Sequence, residues 1–162
     1  LSRARERVLY EQYMTSFRNG HVVSSRLLFP ALLELSHEDA SLLREYRQDL
    51  TEIGFDISDM GQNAIGINAV PDGLPAGGEE EILHELLREC EQTGRSSREV
   101  LSNRLVRTIT TARLRSLPRQ MTPAQAKQLL EQLFALPEYR VTPSGRQILF
   151  FLTPRELAKH LP

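Results

Sequence analysis

Near its start the chain reads Ala4-Arg5-Glu6-Arg7-Val8-Leu9-Tyr10-Glu11-Gln12-Tyr13-Met14, and this stretch decides the fold. Leu9, Tyr13 and Phe17 follow one another at intervals of four residues, which is the spacing of one face of an α-helix. Glu6, Arg7, Glu11 and Gln12 lie around the rest of the helix, and Gly20 is a plausible end for it, since helices commonly end at glycine. We therefore predict a first helix that buries this apolar face and ends near Gly20.

The segments that follow this helix predict an α+β fold. An apolar run at 26–35 reads either as a strand buried on both faces or as a strand that feeds a core. Residues 36–53 keep helical spacing after a serine that can cap the helix. Alternating residues at 55–59 and 65–69 flank a Gly-Gln-Asn turn and predict a hairpin. In the second half, the apolar positions at 82–90 predict one helix, and capping sequences at 96–99 and 122–125 predict the starts of two more. A turn is predicted at 142–145, a buried strand at 148–152 and a short last helix from Thr153.

Composition sets limits that do not depend on this order. The chain has 162 residues, 40% of them hydrophobic, which is enough for one sizeable core or for two lobes. Its 20 basic and 21 acidic residues exclude a globally basic nucleic-acid binder. The single cysteine, Cys90, excludes an internal disulfide and fits a reducing cytosol. No apolar run reaches the roughly 20 residues of a membrane span, no signal peptide is recognisable, and the start at Leu1 indicates a fragment.

The residue pattern of the first predicted helix resembles that of a known family. The pattern Glu6-Arg7-x-x-Tyr10-Glu11 resembles the opening of the C-terminal domain of MutL-type DNA mismatch-repair proteins, and the predicted order of elements fits that domain along the whole chain. The resemblance implies a dimerisation lobe formed by residues 1–22 and 113–162, and an external or regulatory lobe formed by residues 23–112. It also implies a homodimer that couples two N-terminal ATPase domains, which bind ATP in the full-length protein and lie outside this chain.

Many members of that family carry a metal-nuclease motif, Asp-Gln-His-Ala-x-x-Glu-x-x-x-x-Glu, on this helix. Glu6 and Glu11 match its two glutamates, whereas Ser2 stands at the place of the histidine and the place of the aspartate lies before Leu1. Farther along, where the family has further cysteine and histidine donors, this chain has Thr142 and Ser144. Neutral hydroxyls are poor ligands for zinc or manganese. The resemblance therefore implies a domain without metal, without a cofactor and without catalysis, in which Glu6 and Glu11 are remnants of the motif.

Two other interpretations stay open at this stage. One is a divergent metal-dependent DNA endonuclease of the same family, whose remaining ligands would precede Leu1. The other is an unrelated α+β interaction domain. Metal content distinguishes the first from a non-catalytic dimerisation module, and self-association distinguishes the second.

A candidate partner site follows the first helix. The stretch Ser25-Arg26-Leu27-Leu28-Phe29-Pro30 resembles the sliding-clamp motif of the family, Gln-x-Leu-Leu-x-Pro, with Ser25 in place of the glutamine. The alternative interpretation is a core strand that ends at proline. The string from Gln147 to Phe151 is similar, but we interpret it as a buried strand because exposing it would create a large apolar patch.

Two further surfaces are predicted. The dimer interface is expected on the last apolar run, where both faces of a strand would need cover; its residues are Ile148, Leu149, Phe150, Phe151 and Leu152. Weak DNA contact without sequence preference is expected at arginines that follow an acidic segment; these are Arg104, Arg107, Arg113, Arg115 and Arg119. Neutralisation of that acidic segment is the alternative role for these arginines. The partners implied are a second copy of the chain, the mismatch sensor MutS, the sliding clamp and DNA, in the bacterial cytoplasm near the nucleoid.

Overall fold

The computed structural model describes residues 1–93 and 98–151. These residues form helices and a small antiparallel sheet, connected by turns and loops, so the predicted α+β class is confirmed. The elements are α1 (Ser2–Arg18), β1 (Ser24–Glu34), α2 (His37–Glu45), α3 (Arg47–Glu52), β2 (Asp56–Gly61), β3 (Ala64–Pro71), α4 (Glu79–Thr93), α5 (Arg98–Ser116) and α6 (Pro123–Phe134). The predicted cap at 96–97, the interface residue Leu152 and the helix from Thr153 lie outside the described residues.

The sheet has the strand order β1-β3-β2, with every pair antiparallel. The predicted hairpin is confirmed as β2 and β3, joined through Gln62 and Asn63. Both turn residues have positive φ, 52° and 61°, as a tight two-residue hairpin turn requires. Ile57 and Ile67 point into the core and are buried, which fixes the register of the pair.

Local capping signals place two helix starts. The Ser36 hydroxyl accepts a hydrogen bond from the Asp39 backbone N–H at 3.0 Å and so begins α2. Thr122 and Gln125 form a reciprocal capping box at the start of α6, as predicted. The helix predicted over 36–53 is two helices, because the backbone departs from helical geometry at Tyr46.

The chain divides into two compact units. The end unit comprises Leu1–Leu9 with the chain from Pro118 onward, and the middle unit comprises Tyr10–Leu117. The core of the end unit consists of Ala4, Val8, Leu129 and Leu133. The middle unit has a larger core drawn from its helices and from the inner face of the sheet. The assignment of a dimerisation lobe to residues 1–22 and 113–162, and of a regulatory lobe to 23–112, stays a prediction.

The face predicted for α1 is partly wrong. Leu9 and Tyr13 are only half-buried, whereas Tyr10, Met14 and Phe17 are buried in the middle unit. The reason is that the first half of α1 supplies Ala4 and Val8 to another core, so no single stripe serves the whole helix. Burial of Tyr10 is compatible with its hydroxyl because that group donates a hydrogen bond to Asn103 Oδ1.

The prediction that β1 is buried on both faces is also wrong. Among the described residues β1 is an edge strand that pairs only with β3, and most of its residues are exposed. Its register breaks between Arg26 and Ala31, and the strand then continues past Pro30 to Glu34. Proline lacks the N–H that a central strand needs, and an irregular stretch at a sheet edge tolerates it.

The strand predicted at 148–152 is absent from its described part, 148–151. Ahead of it lies the turn predicted at 142–145, closed by a bridge between Val141 and Gln147 and by a hydrogen bond from Ile148 N–H to the Arg140 carbonyl at 2.8 Å. Ile148 and Leu149 are both half-buried, and the next two residues are both exposed, so the alternation of a strand does not occur. A strand needs a neighbouring strand to pair with. Within the described residues from Pro118 onward, the bridge between Val141 and Gln147 is the only β-pairing.

Candidate functional surfaces

The first surface surrounds Glu6 in the end unit. Its carboxylate lies 2.8 Å from the guanidinium of Arg146, an ion pair with the Glu6 side chain 19% exposed. Arg146 is held from the other side, since its Nε donates to the Ser144 hydroxyl at 3.2 Å and its backbone N–H donates to Thr142 Oγ1 at 3.0 Å. The two hydroxyls lie 2.9 Å apart, and Thr142 is buried. The sequence pattern assigns no role to Arg146, although this residue directly follows the turn that carries Thr142 and Ser144.

These residues do not fit a divalent metal ion. A guanidinium occupies the position at the Glu6 carboxylate where a cation would bind, and the nearby oxygens are neutral hydroxyls already engaged with each other. Glu11 lies about 140° around the helix from Glu6, so the two cannot chelate one ion. In the described part of the chain, no group of three or more His, Cys, Asp or Glu residues is arranged to hold a metal.

The second surface is the irregular part of β1, which contains the motif-like stretch. Leu28 and Phe29 are 95% and 84% exposed, unusual values for large apolar side chains. Leu27 points the other way and packs against the core of the middle unit. The Ser25 hydroxyl donates to Asp72 Oδ1 at 2.8 Å, which ties the start of the stretch to the end of β3. The bulge therefore presents two apolar side chains to solvent from an anchored base.

The third surface lies in the end unit and is aromatic. Phe150 and Phe151 are 72% and 65% exposed. The Arg140 guanidinium lies 5.3 Å from the ring centre of Phe151 and 5.7 Å from that of Tyr139, within cation–π range. The Tyr139 ring in turn contacts Phe134, which is itself about half exposed. We call the exposed set Phe134, Phe150 and Phe151 the terminal aromatic patch. Ile148 and Leu149, predicted beside it, pack against the core of the end unit.

Three of the five predicted DNA-contact arginines line one groove of the middle unit. Arg104, Arg107 and Arg115 line an open groove of about 640 Å³ between α4 and α5. The opposite wall carries Glu81 and Glu85, and Glu85 forms an ion pair with Arg104 at 3.0 Å. Arg113 is exposed elsewhere in the last turn of α5, and Arg119 belongs to the end unit. The charge balance of this groove is therefore closer to neutral than the α5 sequence indicates.

Cys90 lies on the apolar face of α4 and is buried. Burial raises its pKa to about 11, so the thiol stays protonated at neutral pH and is a poor nucleophile. In the described residues, no helix combines the length and apolar character that crossing a membrane requires.

Exposed apolar surfaces of this kind are typical of domains that bind other proteins. The family described as the MutL C terminal dimerisation domain matches residues 1–116, and the chain belongs to this family. The interpretation as an unrelated interaction domain is therefore wrong.

Curated relatives agree with this placement. DNA mismatch repair protein MutL of Bacteroides fragilis is 29% identical over 97% of this chain and 25% of its own length. The protein of the same name from Neisseria meningitidis serogroup B is 31% identical over 95% of this chain and 24% of its own length. The protein of the same name from Geotalea daltonii is 29% identical over 96% of this chain and 26% of its own length. The chain thus spans about a quarter of the length of the curated relatives it matches.

Proposed function

We propose that this chain is the homodimerisation module of a MutL-like DNA mismatch-repair protein of the bacterial cytoplasm and nucleoid. The observation that carries the proposal is the terminal aromatic patch, because adjacent exposed phenylalanines on a compact unit are the usual mark of a contact surface. Twofold self-association is the commonest way to cover such a patch. Light scattering on the purified chain at micromolar concentration tests this directly: a dimer mass supports the proposal, and a monomer mass throughout that range contradicts it.

The module acts mechanically in this proposal. Holding two chains together makes the meeting of their N-terminal ATPase domains effectively intramolecular, which raises the local concentration of one domain around the other. The mismatch sensor MutS would then engage a protein whose two halves are already linked. The residues of this chain contribute the contact surface and no chemical step.

We propose further that the chain does not cut DNA. The arginine pairing of Glu6 and the hydroxyls of Thr142 and Ser144 support this. Supercoiled DNA incubated with the chain and manganese should remain unnicked, and elemental analysis should find zinc well below one ion per chain. Glu6→Ala is the matched variant: nicking that is present in the wild type and lost in Glu6→Ala would establish the divergent endonuclease instead.

The bulge of β1 supports a weak sliding-clamp contact through Ser25, Arg26, Leu27, Leu28, Phe29 and Pro30. Leu28 and Phe29 are already accessible, but Ser25 lacks the amide that the motif uses. Ser25→Gln should tighten binding to the bacterial clamp by about 0.5–1.5 kcal/mol, or roughly two- to tenfold, because an added buried hydrogen bond contributes this much. Calorimetric titration measures the change.

A second variant checks where that binding occurs. Leu28→Ala combined with Phe29→Ala should remove the clamp contact from both the wild type and Ser25→Gln. The proposal fails if Ser25→Gln binds no more tightly than the wild type, or if the double alanine variant still binds.

Contact with DNA is proposed as weak and independent of sequence. Its support is the exposure of Arg107, Arg113, Arg115 and Arg119, while Arg104 is engaged with Glu85. Phosphate contacts of this kind weaken steeply as salt rises. They would hold DNA near the dimer without selecting a site.

A further inference from the structure

A pocket in the middle unit lies between helices α2 and α3 and the tip of the β2–β3 hairpin. Its volume is about 260 Å³, below the roughly 300–1,000 Å³ of pockets that hold drug-sized ligands. The floor is apolar and consists of Ala40, Leu43, Ile57 and Ile65, all buried in the core. This size and lining suit one apolar side chain rather than a nucleotide.

Two arginines stand at the rim of this pocket. Arg44 donates to Asn63 Oδ1 at 3.4 Å, and Arg47 donates to the Ile57 carbonyl at 3.0 Å. Both acceptors are neutral, and within the described residues neither guanidinium takes part in an ion pair. Each guanidinium has five N–H donors, so most of its donors stay available for an anion. Asp59, the carboxylate that lines the pocket, accepts a hydrogen bond from the Gly61 backbone N–H at 2.8 Å.

The surrounding charge makes these two arginines distinctive. The segment His37–Glu52 contains five carboxylates, from Glu38, Asp39, Glu45, Asp49 and Glu52. Arg44 and Arg47 are its only lysine or arginine residues, and both line the pocket. A polyanion such as DNA would meet the carboxylates as well as the arginines. A single carboxylate placed at the rim would meet the arginines first.

We propose that this pocket binds a short acidic peptide segment of a partner protein. One aliphatic or aromatic side chain of the segment fills the apolar floor, and an adjacent aspartate or glutamate binds Arg44 and Arg47. Apolar burial provides part of the affinity, and charge-assisted hydrogen bonds to the guanidinium groups provide the selectivity. Its residues differ from those of the terminal aromatic patch and of the bulge of β1, and the proposal does not rest on dimerisation.

The test uses the whole chain labelled with ¹⁵N and two capped pentapeptides, Gly-Asp-Leu-Asp-Gly and Gly-Asp-Phe-Asp-Gly. At least one of them should shift the amide resonances around Asn63 and Ala64 in a saturable way. Arg44→Gln combined with Arg47→Gln should weaken that binding at least about tenfold, because the charge-assisted hydrogen bonds to both guanidinium groups are lost. Arg88→Gln, which removes an exposed arginine from α4, should leave the affinity unchanged.

A second variant tests the pocket independently of charge. Ala64→Leu places extra side-chain volume at the pocket wall while both arginines remain, and it should also abolish the shifts. Thermal unfolding confirms that each variant is folded. The proposal is overturned if neither peptide shifts these resonances at millimolar concentration, or if lysine-for-aspartate peptides bind equally well. It is also overturned if the double glutamine variant binds as tightly as the wild type, or if a single-stranded oligonucleotide occupies the site in preference to the peptides.

Discussion

Phe150→Asp combined with Phe151→Asp should convert the proposed dimer into a monomer. Burying a phenylalanine side chain stabilises an interface by about 1.5–3 kcal/mol. Each substitution occurs twice in a twofold dimer, so its effect on the dimer is doubled. An aspartate held in the same contact would be an unpaired buried charge, which adds to the loss. The dimer dissociation constant should therefore rise by more than about a thousandfold. Sedimentation at micromolar concentration measures this change.

Met60→Asp is the matched control for this experiment. Met60 is 59% exposed, so it resembles Phe151 in accessibility, but it lies on β2 in the middle unit. The control should stay dimeric, and circular dichroism should show that both variants keep their helices. The proposed interface is wrong if the double variant sediments as a dimer at the wild-type concentration, or if Met60→Asp becomes monomeric as well.

Gly54→Ala should give the second large effect, a loss of about 2–6 kcal/mol in the free energy of unfolding. Gly54 has φ of +103°, a conformation that costs other residues roughly 1–3 kcal/mol. A Cβ there would also lie 2.8 Å from Val22 Cγ1 and 3.1 Å from Ser24 Oγ. Such overpacking costs about 1–3 kcal/mol more. Urea unfolding followed by circular dichroism measures the difference.

Gly20→Ala separates the two causes. Gly20 also has a positive φ, +69°, but no atom of a described residue lies within 4 Å of the place where its Cβ would be. This variant should lose only the backbone contribution, about 1–2 kcal/mol. Equal losses in the two variants would show that the contacts with Val22 and Ser24 relax at no cost.

Features specified by neighbouring residues could be predicted from the sequence. The turn at Gln62 and Asn63, the cap at Ser36 and the capping box at Thr122 each depend on residues a few positions apart, and all are present. The family motif was equally local, since it falls within one helix. Patterns of this kind need no knowledge of which elements become neighbours.

Features decided by tertiary neighbours could not be predicted in the same way. The apolar run of β1 has the composition of a core strand, and only its edge position leaves Leu28 and Phe29 in solvent. The ion pair between Glu6 and Arg146 joins residues 140 positions apart, and no spacing rule reveals it. A strand at 148–152 would place Ile148 and Leu149 on opposite faces, whereas both pack against one core.

The two edges of the sheet bear on how this protein avoids aggregation. An exposed strand edge offers a row of unpaired backbone groups on which another chain can add a strand. Along β1 that row is interrupted by the bulge and by Pro30, which has no N–H to donate. Along β2 the Ile57 carbonyl is already bonded to the Arg47 guanidinium. Neither edge offers an unbroken row of backbone groups for fibril growth, which limits uncontrolled strand addition between copies of this chain.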